Sequence, residues 1–255
     1  MNFEQFSLTG RHVLVTGAGR GLGQAMALAA VNAGASVTAV ARTSEQLGQT
    51  LELTRDSPGK LRTLCWDVSK TETLGSMVDK AEESVPVDSV IHAAGVQLRK
   101  PATALLTAEW QSVQKVNAEA PFFLSTEIAR RRLQDASPRG SHIFIGSLAS
   151  TIGLPNVAPY VMSKTAVLGA VRALSREWAG QGIRVNGIAP GYVQTQLTSD
   201  LLASEEDRTR ILGRIPMGRL GSTADFAGAT VFLLSEASAY ITGQMISIDG
   251  GWLAS

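Results

Sequence analysis

Cysteine is nearly absent from this chain of 255 residues: Cys65 stands alone, so no intrachain disulfide can form. Histidine is scarce as well. Three scattered imidazoles and one thiol cannot assemble the ligand sets of a structural zinc site, and no metal is expected. Net charge is almost missing, since 23 Lys and Arg face 22 Asp and Glu and leave +1. No basic stripe stands out, which argues against a nucleic-acid surface. There is no long apolar run either. The most apolar stretch, AMALAAVNAGASVTAVA at 25–41, is broken by Asn32, Gly34 and Ser36, so no membrane-spanning helix is expected. The opening MNFEQFSLTG carries an acidic residue and no apolar h-region, unlike a secretory leader. These absences lead to the expectation of a soluble cytoplasmic protein.

Glycine is plentiful, at 25, and 44% of the residues are hydrophobic, enough for the core of one α/β domain over 1–255. Short β-branched runs at 11–16, 36–41, 88–93, 141–146, 183–188 and 245–248 read as buried strands, with 61–66 as a weaker seventh. Between them, 21–33, 44–55, 70–84, 107–133, 158–179 and 223–235 read as helices. Such alternation predicts a Rossmann-type, doubly wound parallel sheet of about seven strands with helices on both faces. The polar stretch 198–210 is the one candidate for a substrate lid or small insertion.

The first strand runs into TGAGRGLG, where Gly17, Gly19, Gly21 and Gly23 crowd a turn that opens directly into an Ala-rich helix. Missing Cβ atoms let such a backbone approach a pyrophosphate, which then sits on the helix N-terminus. This context, strand before and helix after, predicts a dinucleotide site. A ribose-binding carboxylate is expected about 20 residues beyond the turn. Ala41 stands there instead, followed by Arg42, and Arg20 lies inside the turn. A missing acid and two guanidiniums predict a 2′-phosphate, hence NADP(H), with NAD the alternative. Further on, YVMSK places Tyr160 and Lys164 one helical turn apart on one face. That spacing alone fits a surface pair as well as an acid with the group that tunes it.

Taken in order, TGAGRGLG (16–23), AAG (93–95), the Asn of KVNAEAPF (Asn117), GSLAS (146–150), YVMSK (160–164) and APGYVQT (189–195) resemble the short-chain dehydrogenases/reductases, and the likeness runs through ITGQMISIDGG. The resemblance implies a catalytic set of Asn117, Ser147, Tyr160 and Lys164. Tyr160 would be the general acid/base, Ser147 would bond the substrate oxygen, and Asn117 would order a water for proton relay. A tyrosine ordinarily titrates near ~10, too high for neutral-pH chemistry, so Lys164 and a nicotinamide's positive charge are expected to lower it. Lys164 would also hold the nicotinamide ribose.

For the cofactor, the resemblance implies contacts from Gly17, Gly19, Arg20, Gly21, Leu22 and Gly23 at the turn and from Arg42 beyond the second strand. Asp67 and Val68 would meet the adenine, with a strand-end cap as the other reading of Asp67. Ala93, Ala94 and Gly95, then Ile188, Pro190, Gly191, Val193 and Thr195, would border the nicotinamide half.

One departure is Ile91-His92-Ala93-Ala94-Gly95, where the family commonly has Asn in place of His92. It is read as structural, stabilising the central strands. His12 and His142 are read as strand-edge residues, and Trp110, Trp178 and Trp252 as packing residues. GVQLRKP (95–101) and the ending DGGWLAS resemble gluconate 5-dehydrogenases and 2-deoxygluconate 3-dehydrogenases. That implies a small carbonyl or alcohol substrate of sugar-acid type, with Gln97 and Arg99 at the substrate beside Ser147 and Tyr160. A 3-oxoacyl-carrier-protein reductase is the rival, with Arg130, Arg131 and Arg132 docking the carrier or simply forming a solvated helix end. A catalytically inactive dinucleotide sensor is the non-enzymatic alternative. The resemblance also implies a homotetramer built on the helices at 107–133 and 158–179.

Overall fold

The computed structural model describes residues 4–136, 138–196 and 198–254. Seven strands form one sheet: β1 (His12–Thr16), β2 (Ser36–Ala41), β3 (Lys60–Cys65), β4 (Ser89–His92), β5 (Gly140–Ile145), β6 (Ile183–Pro190) and β7 (Met245–Ile248). Their spatial order is β3-β2-β1-β4-β5-β6-β7, and every pairing is parallel. The chain winds outward from β1 in one direction and returns from β4 in the other. The crevice at that reversal, outside the strands' C-terminal ends, is where an open α/β sheet binds ligands.

Residues Val13, Leu14 and Val15 show why the sheet is covered twice. All three are fully buried, Val13 and Val15 in the core beneath α1 (Gly21–Asn32) and α9 (Ala227–Leu234), Leu14 in the opposite core. Successive side chains of a strand point to opposite faces. In β5 the same rule sends Ile143 and Ile145 to the first core and Phe144 to a third, under α6 (Ala158–Trp178). Each such buried side chain contributes ~1.5–3 kcal/mol.

The remaining helices are α2 (Ser44–Glu52), α3 (Leu74–Ala81), α4 (Thr107–Gln114), α5 (Ala120–Arg132), α7 (Ser199–Leu202) and α8 (Glu205–Leu212). One differs from the sequence reading. The single helix expected over 107–133 is divided by a π-turn, Lys115–Glu119, that contains Asn117. Hydrophobic periodicity does not register one inserted residue, because the apolar face resumes on the next turn. The stretch 198–210 falls on the two short helices α7 and α8, where Leu201 and Leu202, with Ile211 just beyond, pack on Leu148 and Trp252.

Two sets of titratable side chains also sit elsewhere than expected. His12 and His142 are buried inside the sheet, at 5% and 0% exposure, not at its edge. Of the arginine triple, only Arg130 is solvated. Arg131 pairs with Asp79, Glu82 and Glu127, and Arg132 pairs with Glu82 and Asp135. Trp178 and Trp252 are packed inside as expected, while Trp110 is 37% exposed.

Candidate active site

The glycine turn and the loop after β4 are pressed together. Gly17 has φ +69°, and a Cβ there would lie 2.7 Å from the Ala94 nitrogen. At Gly23 a Cβ would lie 2.3 Å from the Gly17 carbonyl oxygen. Neither position can hold another residue without moving backbone, so both glycines are required for the turn to close against Ala93 and Ala94. The Ala94 N–H donates to Thr16 Oγ1 at 3.3 Å, tying the two loops. Arg20, the N-cap of α1, makes no side-chain cap bond, and the first turn holds no acidic residue. The helix therefore presents its terminal N–H donors to the crevice, the arrangement that suits a phosphate.

Around this turn lie the other expected cofactor residues. Thr195 is beside Gly21, with its Cγ2 at 4.0 Å from where a Gly21 Cβ would be. The Arg20 guanidinium donates to the Gln196 amide oxygen, which ties the same loop to the turn. Ala41 ends β2, and Arg42 follows it exposed. Burial works to raise the Asp67 carboxyl, but hydrogen bonds from Ser69 and the charges of Arg42 and Lys70 hold it below the usual range. Asp67 Oδ1 accepts from the Ser69 N–H at 3.0 Å, so it caps its own loop. Val68 and Val193 turn their side chains into the cores, which leaves only backbone to face a ligand.

The second group gathers at the end of β5. Helix α6 buries Ser163, Lys164, Val167, Val171 and Leu174 on one stripe, and Tyr160 begins that stripe one turn before Lys164. Ser147, just past β5, is the N-cap of a short turn, and its Oγ accepts from the Ala149 N–H at 3.1 Å. Ser150 Oγ donates to the Lys164 carbonyl at 2.8 Å, which fastens this turn to α6. Ser147 neighbours the Tyr160 hydroxyl.

The Tyr160 phenol is pushed up by burial and only partly pulled back by Ser147. The expected tuning by Lys164 is not supplied by the protein's own groups. Lys164 Nζ lies 5.5 Å from the Tyr160 ring centroid and donates to the Ile145 carbonyl at 2.7 Å. Burial lowers this amine to about 8. A Cβ at Gly95 would be 4.0 Å from Lys164 Nζ and 3.6 Å from Asn117 Oδ1. The Ala93–Gly95 loop thus adjoins both groups, and the two poles form one crevice.

Asn117 spends its side chain on the scaffold. Its Oδ1 accepts from the Val96 N–H at 2.9 Å, and its Nδ2 donates to the Val96 carbonyl at 2.9 Å and to Ser163 Oγ at 3.1 Å. The amide therefore locks the loop after β4 to α6.

A family model described as enoyl-(acyl carrier protein) reductase matches residues 17–253, the span that carries the glycine turn, Asn117, Ser147 and the Tyr160–Lys164 pair. The chain belongs to the short-chain dehydrogenase/reductase family. A 2-dehydro-3-deoxy-D-gluconate 5-dehydrogenase of Pseudoalteromonas atlantica is 38% identical over 98% of both chains. A 3-oxoacyl-[acyl-carrier-protein] reductase of Escherichia coli is 34% identical over 98% of both. The solved structure of a gluconate 5-dehydrogenase from Burkholderia cenocepacia, in complex with NADP and tartrate, matches with a TM-score of 0.93 at 31% identity, covering 99% of this chain and 98% of that one. Relatives with different substrates thus share nearly the same overall identity. Discrimination has to come from side chains at the cleft.

In this short-chain dehydrogenase fold, Gln97 is half-buried and Arg99 exposed on the loop beyond Gly95. Sequence reasoning missed Ser163, which bonds both Asn117 and the Tyr160 carbonyl. Its position inside YVMSK was the available signal.

Proposed function

We propose that this protein is an NADP(H)-preferring oxidoreductase that interconverts a secondary alcohol and a ketone on a sugar acid or polyol. The observation that carries the reaction class is Tyr160 beside Ser147, with Lys164 one turn away, at the mouth of a glycine-turn crevice. The residues fit the cofactor: the Gly17–Gly23 cradle admits no Cβ at two positions, and Ala41 stands where a ribose-binding acid is expected, with Arg42 next to it. The turn, Arg20, Arg42, Gly95, Lys164 and Thr195 would hold NADP(H), which would supply or accept the hydride. Tyr160 gives a proton to the carbonyl oxygen in reduction and takes it back in oxidation. Ser147 donates to that oxygen as its charge grows, a preorganised contact that strengthens toward the transition state. Lys164 would hold the nicotinamide ribose, and the positive charge of the oxidised nicotinamide would lower the cost of phenolate. Asn117 keeps the loop and α6 in register.

The sugar-acid class draws on the gluconate-type names of the relatives and on Arg99 at the cleft. The acyl reductase is the second reading, favoured by the E. coli relative. It is weakened because Arg131 and Arg132 are consumed by ion pairs and Arg130 is paired with Glu127, leaving little free charge for an acidic carrier. An intact Ser147–Tyr160–Lys164 set argues against a silent sensor. We further read 1–255 as one domain with 198–210 as a lid, since Leu201, Leu202 and Ile211 rest on Leu148 beside Ser147. Exposed Phe122 and Phe123 on α5 and Met162 on α6 support a homotetramer joined through these helices. Among the described residues no helix is long and apolar enough to cross a membrane, and with a single exposed cysteine we place the protein in the cytoplasm.

The test is a panel of keto-sugar acids, polyols, 3-oxoacyl thioesters and simple ketones, each with NADPH and NADH. Keto-sugar acids with NADPH should give the highest kcat/KM. Preference for 3-oxoacyl thioesters would replace the substrate assignment. Ala41→Asp with Arg42→Ala should narrow or reverse the cofactor ratio, because the new carboxylate repels a 2′-phosphate. A wild type that favours NADH would overturn the NADP reading.

A further inference from the structure

Tyr160 stands where a helix is least secure. It is in the first turn of α6, whose N-cap, Val157, makes no side-chain cap bond. The first N–H groups of a helix have no partner within it, and helix ends fray. Pro159, the residue before Tyr160, has no N–H at all. One turn farther along, α6 is fastened on the β5 side: the Lys164 carbonyl accepts from Ser150, and Lys164 Nζ donates to the Ile145 carbonyl. The turn that carries the phenol needs a hold of its own.

Two side chains supply it. Gln114, the last residue of α4, donates from Nε2 to the Pro159 carbonyl at 2.8 Å. Ser163 Oγ donates to the Tyr160 carbonyl at 2.8 Å. A hydroxyl has one proton to give, so Ser163 can only accept from Asn117 Nδ2, 3.1 Å away. Ser163 is 0% and Asn117 1% exposed, which shields both bonds from competition with water. The Pro159 carbonyl belongs to the peptide plane before the Tyr160 Cα, and the Tyr160 carbonyl to the plane after it. Each peptide unit is planar, so only the φ and ψ of Tyr160 lie between the two. Fixing both planes fixes the direction of the Tyr160 Cα–Cβ bond, and with it the entry of the phenol into the crevice. Gln114 and Asn117 are three residues apart at the start of the π-turn, and both reach α6.

We propose that Gln114 and Ser163 are positioning residues for proton transfer, a clamp that pins the two peptide planes flanking Tyr160. They act through the Tyr160 backbone, and their role rests on the reading of Tyr160 as the general acid/base. It does not depend on which carbonyl is the substrate. Misplacing a reacting group by about 1 Å can cost up to about a hundredfold in rate, so the chemical step is where loss of the clamp should appear.

Wild type, Gln114→Met, Gln114→Glu, Ser163→Ala and Tyr160→Phe are compared in single-turnover and steady-state runs at pH 8, with NADPH and the carbonyl of the panel that turns over fastest. Met and ionised Glu keep the length of Gln114 but lack its N–H donor. Both variants should slow hydride transfer about five- to thirtyfold, and Ser163→Ala should lose a similar factor. KM for the carbonyl and the dissociation constant of NADPH should stay within about twofold, because the interaction lost is one that serves the transition state. Gln114 is half-buried, so its variants carry the test should Ser163→Ala fail to fold. Single-turnover rates of both Gln114 variants within twofold of wild type, beside an inactive Tyr160→Phe, would overturn the clamp alone. So would losses in which KM rises and Tm falls in step, the mark of a side chain that only packs helices together. An active Tyr160→Phe would overturn the acid assignment and the clamp with it.

Discussion

Strand β5 separates two buried polar assemblies that behave differently. In the core, His92 Nε2 and Ser125 Oγ share a hydrogen bond at 2.9 Å, and Ser125 Oγ meets His142 Nδ1 at 2.8 Å. This chain is sealed, and its outer nitrogens, His92 Nδ1 and His142 Nε2, have no partner among the described residues. Just past the end of the same strand, Ser147, Tyr160 and Lys164 face a crevice. Burial acts on both in the same direction, lowering His92, His142 and Lys164 and raising Tyr160. A perturbed group is therefore not by itself a functional one. What separates the assemblies is access: only the second can pass a proton to something that enters.

Replacing the acid should show the sharpest difference. Tyr160→Phe keeps the ring and removes the proton, so kcat should fall by about 10²–10⁴-fold. NADPH affinity, read by fluorescence titration, should stay within about threefold, since the ring packing is preserved. A variant that keeps more than a tenth of wild-type kcat would move the proton transfer to another group.

Lys164→Met should cost a comparable factor in kcat and also weaken NADPH, yet leave a protein that is more heat-stable at pH 7. Holding the amine in a buried site drops its folded value to about 8 from 10.5, so at pH 7 the fold carries an unfavourable charge. Between pH 8 and 10.5 the unfolded chain binds more protons than the folded one, and wild type recovers stability as pH rises. The advantage of the Met variant should shrink across that window. Destabilisation at pH 7 would mean that the Lys164 contact with the Ile145 carbonyl outweighs the burial of its charge.

The sequence showed the open assembly and concealed the closed one, for a physical reason. Ser147, Tyr160 and Lys164 lie in ordered motifs because chemistry fixes their types and spacing, and strands such as SVTAVA are visible from unbroken apolar runs. The cofactor turn was legible for the same reason, since Gly17 and Gly23 cannot be exchanged. Ser125 and His142 obey no local pattern, as their partnership depends on α5 crossing β4 and β5. Reading His142 as a strand-edge residue failed because strand order is not written in a strand's own residues. The π-turn was hidden for a local reason, since the apolar face resumes on the turn after it.

Acid should expose the closed assembly. His142 titrates ordinarily near 6.5 but is held neutral to about 3 in the fold, and His92 is lowered in the same direction. Below pH 6.5 the unfolded chain binds protons that the folded chain refuses. Stability should therefore be lost as pH falls from 6.5 toward 3, by up to about tenfold in the folding equilibrium per pH unit for each histidine. Urea titrations at pH 7, 6 and 5 should show a shallower decline for His142→Gln than for wild type. Parallel slopes would mean that His142 is already protonated in the native protein.

The mildest change is His92→Asn, which places in the sealed chain the residue that the family commonly has there. The imidazole packs on Phe144 at 4.5 Å between ring centroids and lines a cavity of about 10 Å³ shared with Thr16 and Ala94. Asn is smaller, so it loses the contact with Phe144 and widens that space. It still offers a donor and an acceptor, and Ser125 keeps its bond with His142. The expected cost is about 1 kcal/mol, a fall in Tm of about 2–4 °C for a chain of this length. Because the chain is closed, kcat/KM should stay within about threefold, and its pH profile should not shift. A tenfold loss of kcat at an unchanged Tm would show instead that His92 governs the Ala93–Gly95 loop, joining the two assemblies into one.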